Sequence, residues 1–195
     1  MNNRLMQEND EEEKHIRQAI AGDQHAFAEL VNTHQRFLYN LALRAVSNPQ
    51  DAQDITQETF IRAWRAIKTF RGEAGFRTWL YRIMMNLCYD RYPRLNRERD
   101  QLSIENEDLE IPQESRLAQK SEQRELFTLI QQHLQALSEN HRLVLSLRFQ
   151  HELSYEEIAT VMSIPVGTVK TTIFRAKEKL KERLRSEKEM EAWIH

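Results

Sequence analysis

After Gly75 the apolar residues Phe76, Leu80, Ile83 and Leu87 recur at i, i+4, i+7 and i+11. That spacing places them on one side of an α-helix, as a stripe that must face other apolar surface. A neighbouring strip of the same helix carries Trp79, Arg82 and Asn86, at i, i+3 and i+7. An indole, a guanidinium and an amide make a poor edge for a core and a good surface for a nucleotide. Tyr81 is expected on the opposite side. The segment Arg71 to Gly75 holds two glycines and breaks the helix before this one. Glycine reaches backbone angles that other residues resist, so this turn could cradle an extruded base.

The wider stretch from residue 60 to 92 interleaves aromatic and basic side chains. Phe60, Trp64, Phe70, Phe76, Trp79, Tyr81, Tyr89 and Tyr92 alternate with Arg62, Arg65, Lys68, Arg71, Arg77, Arg82 and Arg91. Single-stranded nucleic acid needs flat faces for its bases and cations for its phosphates. A helical hairpin with an aromatic core and a solvated basic rim would show the same composition. The formal net charge of the whole chain is only −2, but it is unevenly spread. Residues 60–99 hold ten Lys/Arg against three Asp/Glu, net +7, and residues 165–185 hold seven against two, net +5. Between them residues 100–114 hold six acids and no base, net −6. Local fields of this kind, rather than net charge, govern phosphate binding.

Gly and Pro number four each, and helix formers dominate, which predicts an all-α chain of one or two domains. No apolar run approaches the length of a membrane span. The N-terminus is acidic and polar, unlike a secretory signal. Cys88 is the one cysteine, expected as a small buried hydrophobe with no disulfide. A cytoplasmic protein is the expectation.

The chain divides as follows. Residues 1–22 form an acidic segment, with residues 1–9 disordered and a short helix from Asp10 to about Gly22. Asp23 caps a helix whose core face is Phe27, Leu30, Val31, Leu38, Leu41, Ala42 and Ala45, with His34 packed among them. Asn48-Pro49 breaks the chain, and a third helix runs from about Gln50 to Thr69, burying Ala52, Ile55, Thr59, Ala63 and Ile67. The first domain spans 23–99 and ends in Arg94, Arg97 and Arg99, which are either a solvated helix end or phosphate contacts. Residues 100–120 form a flexible acidic linker with Pro112. The second domain spans 121–187. Leu126, Leu129, Ile130, Leu134 and Leu137 form a stripe, and Ser138 caps a helix burying Leu143, Val144 and Leu147. His133, His141 and His151 lack metal-site spacing and are expected at the surface. Residues 188–195 are a charged tail.

Within the second domain, Ser154 and Glu157 form a capping box. Ile158, Ala159 and Met162 face inward, Ser163-Ile164-Pro165 turns the chain, and Val166, Val169, Ile173 and Ala176 bury the next helix. This is a helix-turn-helix pattern. Its outward residues Lys170, Thr171, Phe174 and Arg175 would enter a major groove, while Lys177, Lys179 and Lys181 reach phosphates.

The run from Asp54 to Trp64 and the run from Phe70 to Asn86 resemble region two of bacterial RNA polymerase sigma factors, most closely the small extracytoplasmic-function class. The match covers about 70 residues, and the helix-turn-helix resembles sigma region four. The resemblance implies a region-two helical bundle and a region-four helix-turn-helix. It implies contact with the −10 promoter element by Lys68, Phe70, Arg71, Phe76, Arg77, Trp79, Arg82 and Asn86. Asp54, Gln57, Glu58, Phe60 and Ile61 would grip the coiled coil of the polymerase's largest subunit. Lys170, Thr171, Thr172, Phe174, Arg175 and Lys177 would meet the −35 element. At Thr172 the chain departs from the many members that carry arginine, which puts one contact and the promoter sequence in question. The resemblance also implies an anti-sigma partner, and a linker that enters the polymerase channel. No cofactor, metal or catalytic residue is expected, because the paired acids of the third helix have no His or Cys beside them and no glycine-rich phosphate loop exists. A stand-alone helix-turn-helix regulator is the alternative. A helical adaptor without a DNA role would leave both basic blocks unexplained.

Overall fold

The computed structural model describes residues 2–104, 133, 134 and 136–194. Among them the regular structure is helical throughout, in two compact units, Met1–Tyr92 and Pro93–His195.

The first unit contains α1 (Asn2–Ile20), α2 (Gln24–Val46), α3 (Pro49–Ala66), a 3-10 turn (Ile67–Thr69) and α4 (Phe76–Arg91). The sequence marks each boundary. The Asp23 carboxylate accepts from the His25 and Ala26 amides, and Asn48 accepts from those of Gln50 and Asp51, with Pro49 in the first turn. Such caps satisfy donors that a helix start leaves orphaned. α1 starts at Asn2, eight residues before the expected Asp10. The α2 core face is as expected apart from a half-buried Val31, and the α3 stripe is fully buried.

α4 departs from the one-stripe reading. Phe76, Leu80 and Leu87 are buried and Ile83 half-buried, but so are Thr78, Tyr81, Met84, Met85, Cys88 and Tyr89 buried. The reason is that α4 packs against both α2 and α3. Two apolar partners need two buried flanks, and the strip through Trp79, Arg82 and Asn86 is what remains outside. Burial pushes the Tyr81 phenol and the Cys88 thiol up to about 12, so neither ionises near neutrality.

The second unit contains α5 (Pro93–Ile104), α6 (Glu139–Phe149), α7 (Tyr155–Met162) and α8 (Val166–Ile194). By its contacts α5 groups with the second unit, and residues 100–104, expected as linker, are helical. Leu95 is buried, its carbonyl accepts from Asn140 Nδ2 at 3.0 Å, and Arg94 pairs with Glu139. The remainder of the linker and Leu126, Leu129 and Ile130 lie outside the described residues. His141 and His151 are buried, contrary to expectation. The His141 ring nitrogen meets the Ser138 hydroxyl at 3.1 Å, where that hydroxyl was expected to cap the backbone.

The capping box at α7 is complete. Ser154 Oγ accepts from the Glu157 amide at 3.1 Å, and Glu157 accepts from the Ser154 amide at 2.9 Å. Replacing Ser154 with alanine should cost about 1 kcal/mol. Chemical denaturation followed by circular dichroism reads this as a lower midpoint with an unchanged slope. Ser163 then takes left-handed angles, φ 55°, and turns the chain into α8. Ile158, Val161, Met162, Val169, Ile173 and Ala176 close the core of this unit.

Candidate nucleic-acid interface

The first unit carries an aromatic face at the start of α4. The Phe70 amide donates to the Ile67 carbonyl at 3.0 Å and ends the 3-10 turn, and Gly72, at φ 72°, bends the chain on towards α4. Three rings then meet. Phe70 lies 5.5 Å from Phe76 and 5.3 Å from Trp79, and Phe76 lies 5.6 Å from Trp79. These are favourable separations for edge and tilted ring contacts. Phe76 is only 4% exposed and forms the floor. Phe70 and Trp79 are half-buried, so each keeps ring surface open to a ligand.

Cations follow the rings along the chain. Lys68 and Arg71 flank Phe70, and Arg82 and Asn86 lie one and two turns beyond Trp79. All four are exposed. Arg77 is half-buried, and its charge reaches Glu12 of α1.

Behind the floor, the His34 and Phe76 rings lie 5.5 Å apart, and His34 Nε2 meets Glu12 Oε1 at 2.8 Å. His34 is therefore a packed histidine with a carboxylate partner, as its place on the apolar face suggested. The bond to His34 holds the Glu12 carboxyl below its ordinary value of 4.5, more strongly than burial raises it. A carboxylate with a depressed folded pKa adds stability above its unfolded pKa, and this is lost as pH falls through the folded value. Wild type and Glu12→Gln should therefore differ in stability at pH 6 and converge as pH falls below 4.5. Urea titrations across that range measure the difference.

On α3, Asp54, Gln57 and Ile61 share one strip at i, i+3 and i+7. Asp54 and Gln57 are exposed, and Ile61 is 46% exposed, unusual for so large an apolar residue. Glu58 is half-buried and accepts from Arg62 Nε at 3.0 Å. Phe60 departs from its expected role as a surface contact. It is buried, packed edge-on against Phe27 at 6.5 Å, because the apolar side of α3 claims it.

On α8, Lys170 and Lys177 are exposed, and Thr171, Phe174 and Arg175 are half-buried. Thr172 is 2% exposed, and its hydroxyl donates to the Thr168 carbonyl at 2.7 Å. Thr172 shares the inward side with Val169, Ile173 and Ala176, so it does not present itself to DNA. Reading the sequence missed a set of contacts beside α8. Arg148 and Lys170 both lie over the Tyr155 ring, and Lys177 lies over Phe149. These residues come from three helices, and no local motif marks them.

Comparison with known proteins fits this geometry. Residues 30–98 match Sigma-70 region 2, and residues 127–180 match Sigma-70 region 4. The RNA polymerase sigma-H factor of Pseudomonas aeruginosa is 38% identical over 187 residues, covering 92% of this chain and 96% of that one. The chain belongs to the sigma-70 family of RNA polymerase sigma factors. The ECF RNA polymerase sigma factor SigW of Bacillus subtilis is 37% identical, covering 88% of this chain and 96% of its own. The ECF RNA polymerase sigma-E factor of Escherichia coli strain K12 is also 37% identical, covering 80% and 85%. Among solved structures, CnrH in complex with the cytosolic domain of CnrY shares 26% identity at a TM-score of 0.63, covering 90% of this chain and 98% of that one. The sigma factor RpoE from Bartonella quintana shares the fold, at 22% identity and a TM-score of 0.59 over 82% and 96%.

As a sigma factor the chain binds core RNA polymerase, recognises promoter elements and supports initiation. A stand-alone regulator is not favoured. Among the described residues of the sigma factor, no helix is long and apolar enough to cross a membrane, and no group of three His, Cys, Asp or Glu could hold a metal ion.

Proposed function

We propose that the sigma factor divides promoter binding between two faces. Phe70 and Trp79 stack an unpaired base of the −10 element over the Phe76 floor, and Lys68, Arg71, Arg77, Arg82 and Asn86 meet its backbone and edges. Unstacking a base costs a few kcal/mol, and stacking on an aromatic side chain returns about 1–3 kcal/mol. The face of α8 formed by Lys170, Thr171, Phe174, Arg175 and Lys177 reads the −35 element as duplex. Asp54, Gln57 and Ile61, with Glu58 beside them, grip the coiled coil of the largest polymerase subunit. Phe60 and Phe76 act beneath these surfaces, and Thr172 acts within the core.

The observation that carries this reading is the half-open pair of Phe70, just before α4, and Trp79, on α4, set among the exposed cations Lys68, Arg71 and Arg82. The chain performs no covalent chemistry of its own and acts in the cytoplasm, where core polymerase is found. A regulatory partner that masks these faces belongs to the same reading. In support, the relative at 26% identity was solved with the cytosolic domain of another protein, CnrY.

The test adds purified chain to core polymerase and a promoter fragment. Promoter binding that requires polymerase, with preference for a pre-melted −10 segment, is the expected result. Tight sequence-specific binding by the chain alone would overturn it. Arg175→Ala should lower discrimination between correct and altered −35 sequences by about tenfold, the usual scale for one base contact. Competition binding with holoenzyme measures this.

A further inference from the structure

Tyr155 opens α7, and its ring is half-buried. Arg148 of α6 places its guanidinium carbon 4.8 Å from the ring centroid, and Lys170 of α8 places Nζ at 5.9 Å. Arg148 is also fixed by a second bond, Nη1 donating to the Leu153 carbonyl at 2.9 Å. At the end of α6 the Phe149 ring is 53% exposed, and Lys177 Nζ lies 5.8 Å from its centroid. One ring thus lies beneath two cations, and a second ring beneath a third. The lysines are two of the α8 residues that face solvent.

Each of the two lysines has a ring of its own, Lys177 the exposed Phe149 and Lys170 the half-buried Tyr155. A cation within about 6 Å of a ring centroid is attracted by the ring's quadrupole. A free lysine spreads over many rotamers, and ordering it on a phosphate costs entropy. A ring that already holds the ammonium in place removes part of that cost before DNA arrives.

We infer that Tyr155 and Phe149 are positioning residues for promoter recognition: their ring faces pre-order Lys170 and Lys177 on α8 for the phosphates of the −35 duplex. The inference rests on the reading of α8 given above. It adds two residues outside the helix-turn-helix contact surface and assigns them no base or phosphate of their own.

The test is a pair of double-mutant cycles in holoenzyme, read as affinity for a promoter fragment carrying the −35 element and as the slope of affinity against salt. Lys170→Met removes the charge and keeps the length, and should weaken binding about three- to tenfold and flatten the salt slope by about one phosphate. If Lys170→Met leaves affinity and slope unchanged, the α8 reading itself fails. Given that loss, Tyr155→Leu should weaken binding about two- to fivefold in the wild-type background and not at all in the Lys170→Met background. Tyr155→Phe, which keeps the ring, should bind as wild type. Losses that multiply in the double mutant, or a Phe variant as weak as the Leu variant, would overturn the positioning role. Phe149→Leu with Lys177→Met repeats the cycle at an exposed ring whose replacement leaves the core intact, so a Tyr155→Leu chain that fails to fold does not shield the idea. Independent losses there overturn it equally.

Discussion

Replacing Trp79 with alanine is expected to lower the yield of open promoter complexes by about tenfold to a hundredfold. Binding to core polymerase should stay within about twofold of wild type. The magnitude follows from stacking, worth about 1–3 kcal/mol per base on an aromatic side chain, where 1.4 kcal/mol is a factor of ten. The selectivity follows from where the indole lies. Trp79 is half-buried on the outward strip of α4, while the exposed acid and amide of Asp54 and Gln57 and the open Ile61 lie on α3. Permanganate footprinting of the −10 segment reads strand opening, and fluorescence anisotropy with labelled chain reads polymerase binding. Equal loss in both assays would remove Trp79 from base capture. A pre-melted promoter should narrow the defect without abolishing it, since unpairing is then already done but stacking is still missing.

Much of this was legible from residue order because the local signals agree with each other. Asp23, Asn48 and Ser154 each precede a run of helical period, and each caps the helix that follows. The outward strip of α4 was readable because Trp79, Arg82 and Asn86 break an apolar pattern at helical spacing. Where the reading fell short, the missing information was tertiary. α4 looked like a surface helix with one buried stripe. It is buried on two flanks, since α2 and α3 both pack on it. Periodicity cannot count a helix's neighbours. Phe60 and Thr172 were matched to a family pattern that names positions, and helical phase then set both side chains inward, whereas the burial of Phe76 follows from its place in the apolar stripe. His141 and His151 looked like surface residues, although the groups they meet are local: the His141 ring meets the Ser138 hydroxyl, and the His151 backbone amide donates to the Ser146 carbonyl. The contacts of α5 with α6 were not readable locally, since Asn140 lies 45 positions along the chain from Leu95, and Glu139 is equally far from Arg94. The rings over which Arg148, Lys170 and Lys177 lie are a further case, assembled from α6, α7 and α8 together.

Phe76→Ala separates a floor from a contact. The ring is 4% exposed and touches His34, Phe70 and Trp79. Truncating a buried phenylalanine removes its transfer free energy and leaves a cavity, together about 3–5 kcal/mol. That is a large fraction of the 5–15 kcal/mol that holds a typical domain folded. In a unit of this size it should lower the melting temperature by on the order of 15 °C or more. The consequence differs in kind from that of Trp79→Ala. Loss of the floor frees Phe70 and Trp79 to move and undermines the contact behind it, where His34 meets Glu12 at 2.8 Å. Strand opening and polymerase binding should therefore fall together, in proportion to the unfolded fraction, and both should recover as temperature is lowered. Phe76→Leu, which keeps most of the buried volume, should recover most of the stability and most of both activities. If Phe76→Ala instead stayed folded and lost strand opening alone, the ring would be touching the base directly, and the division between floor and stacking surface drawn for this face would be wrong.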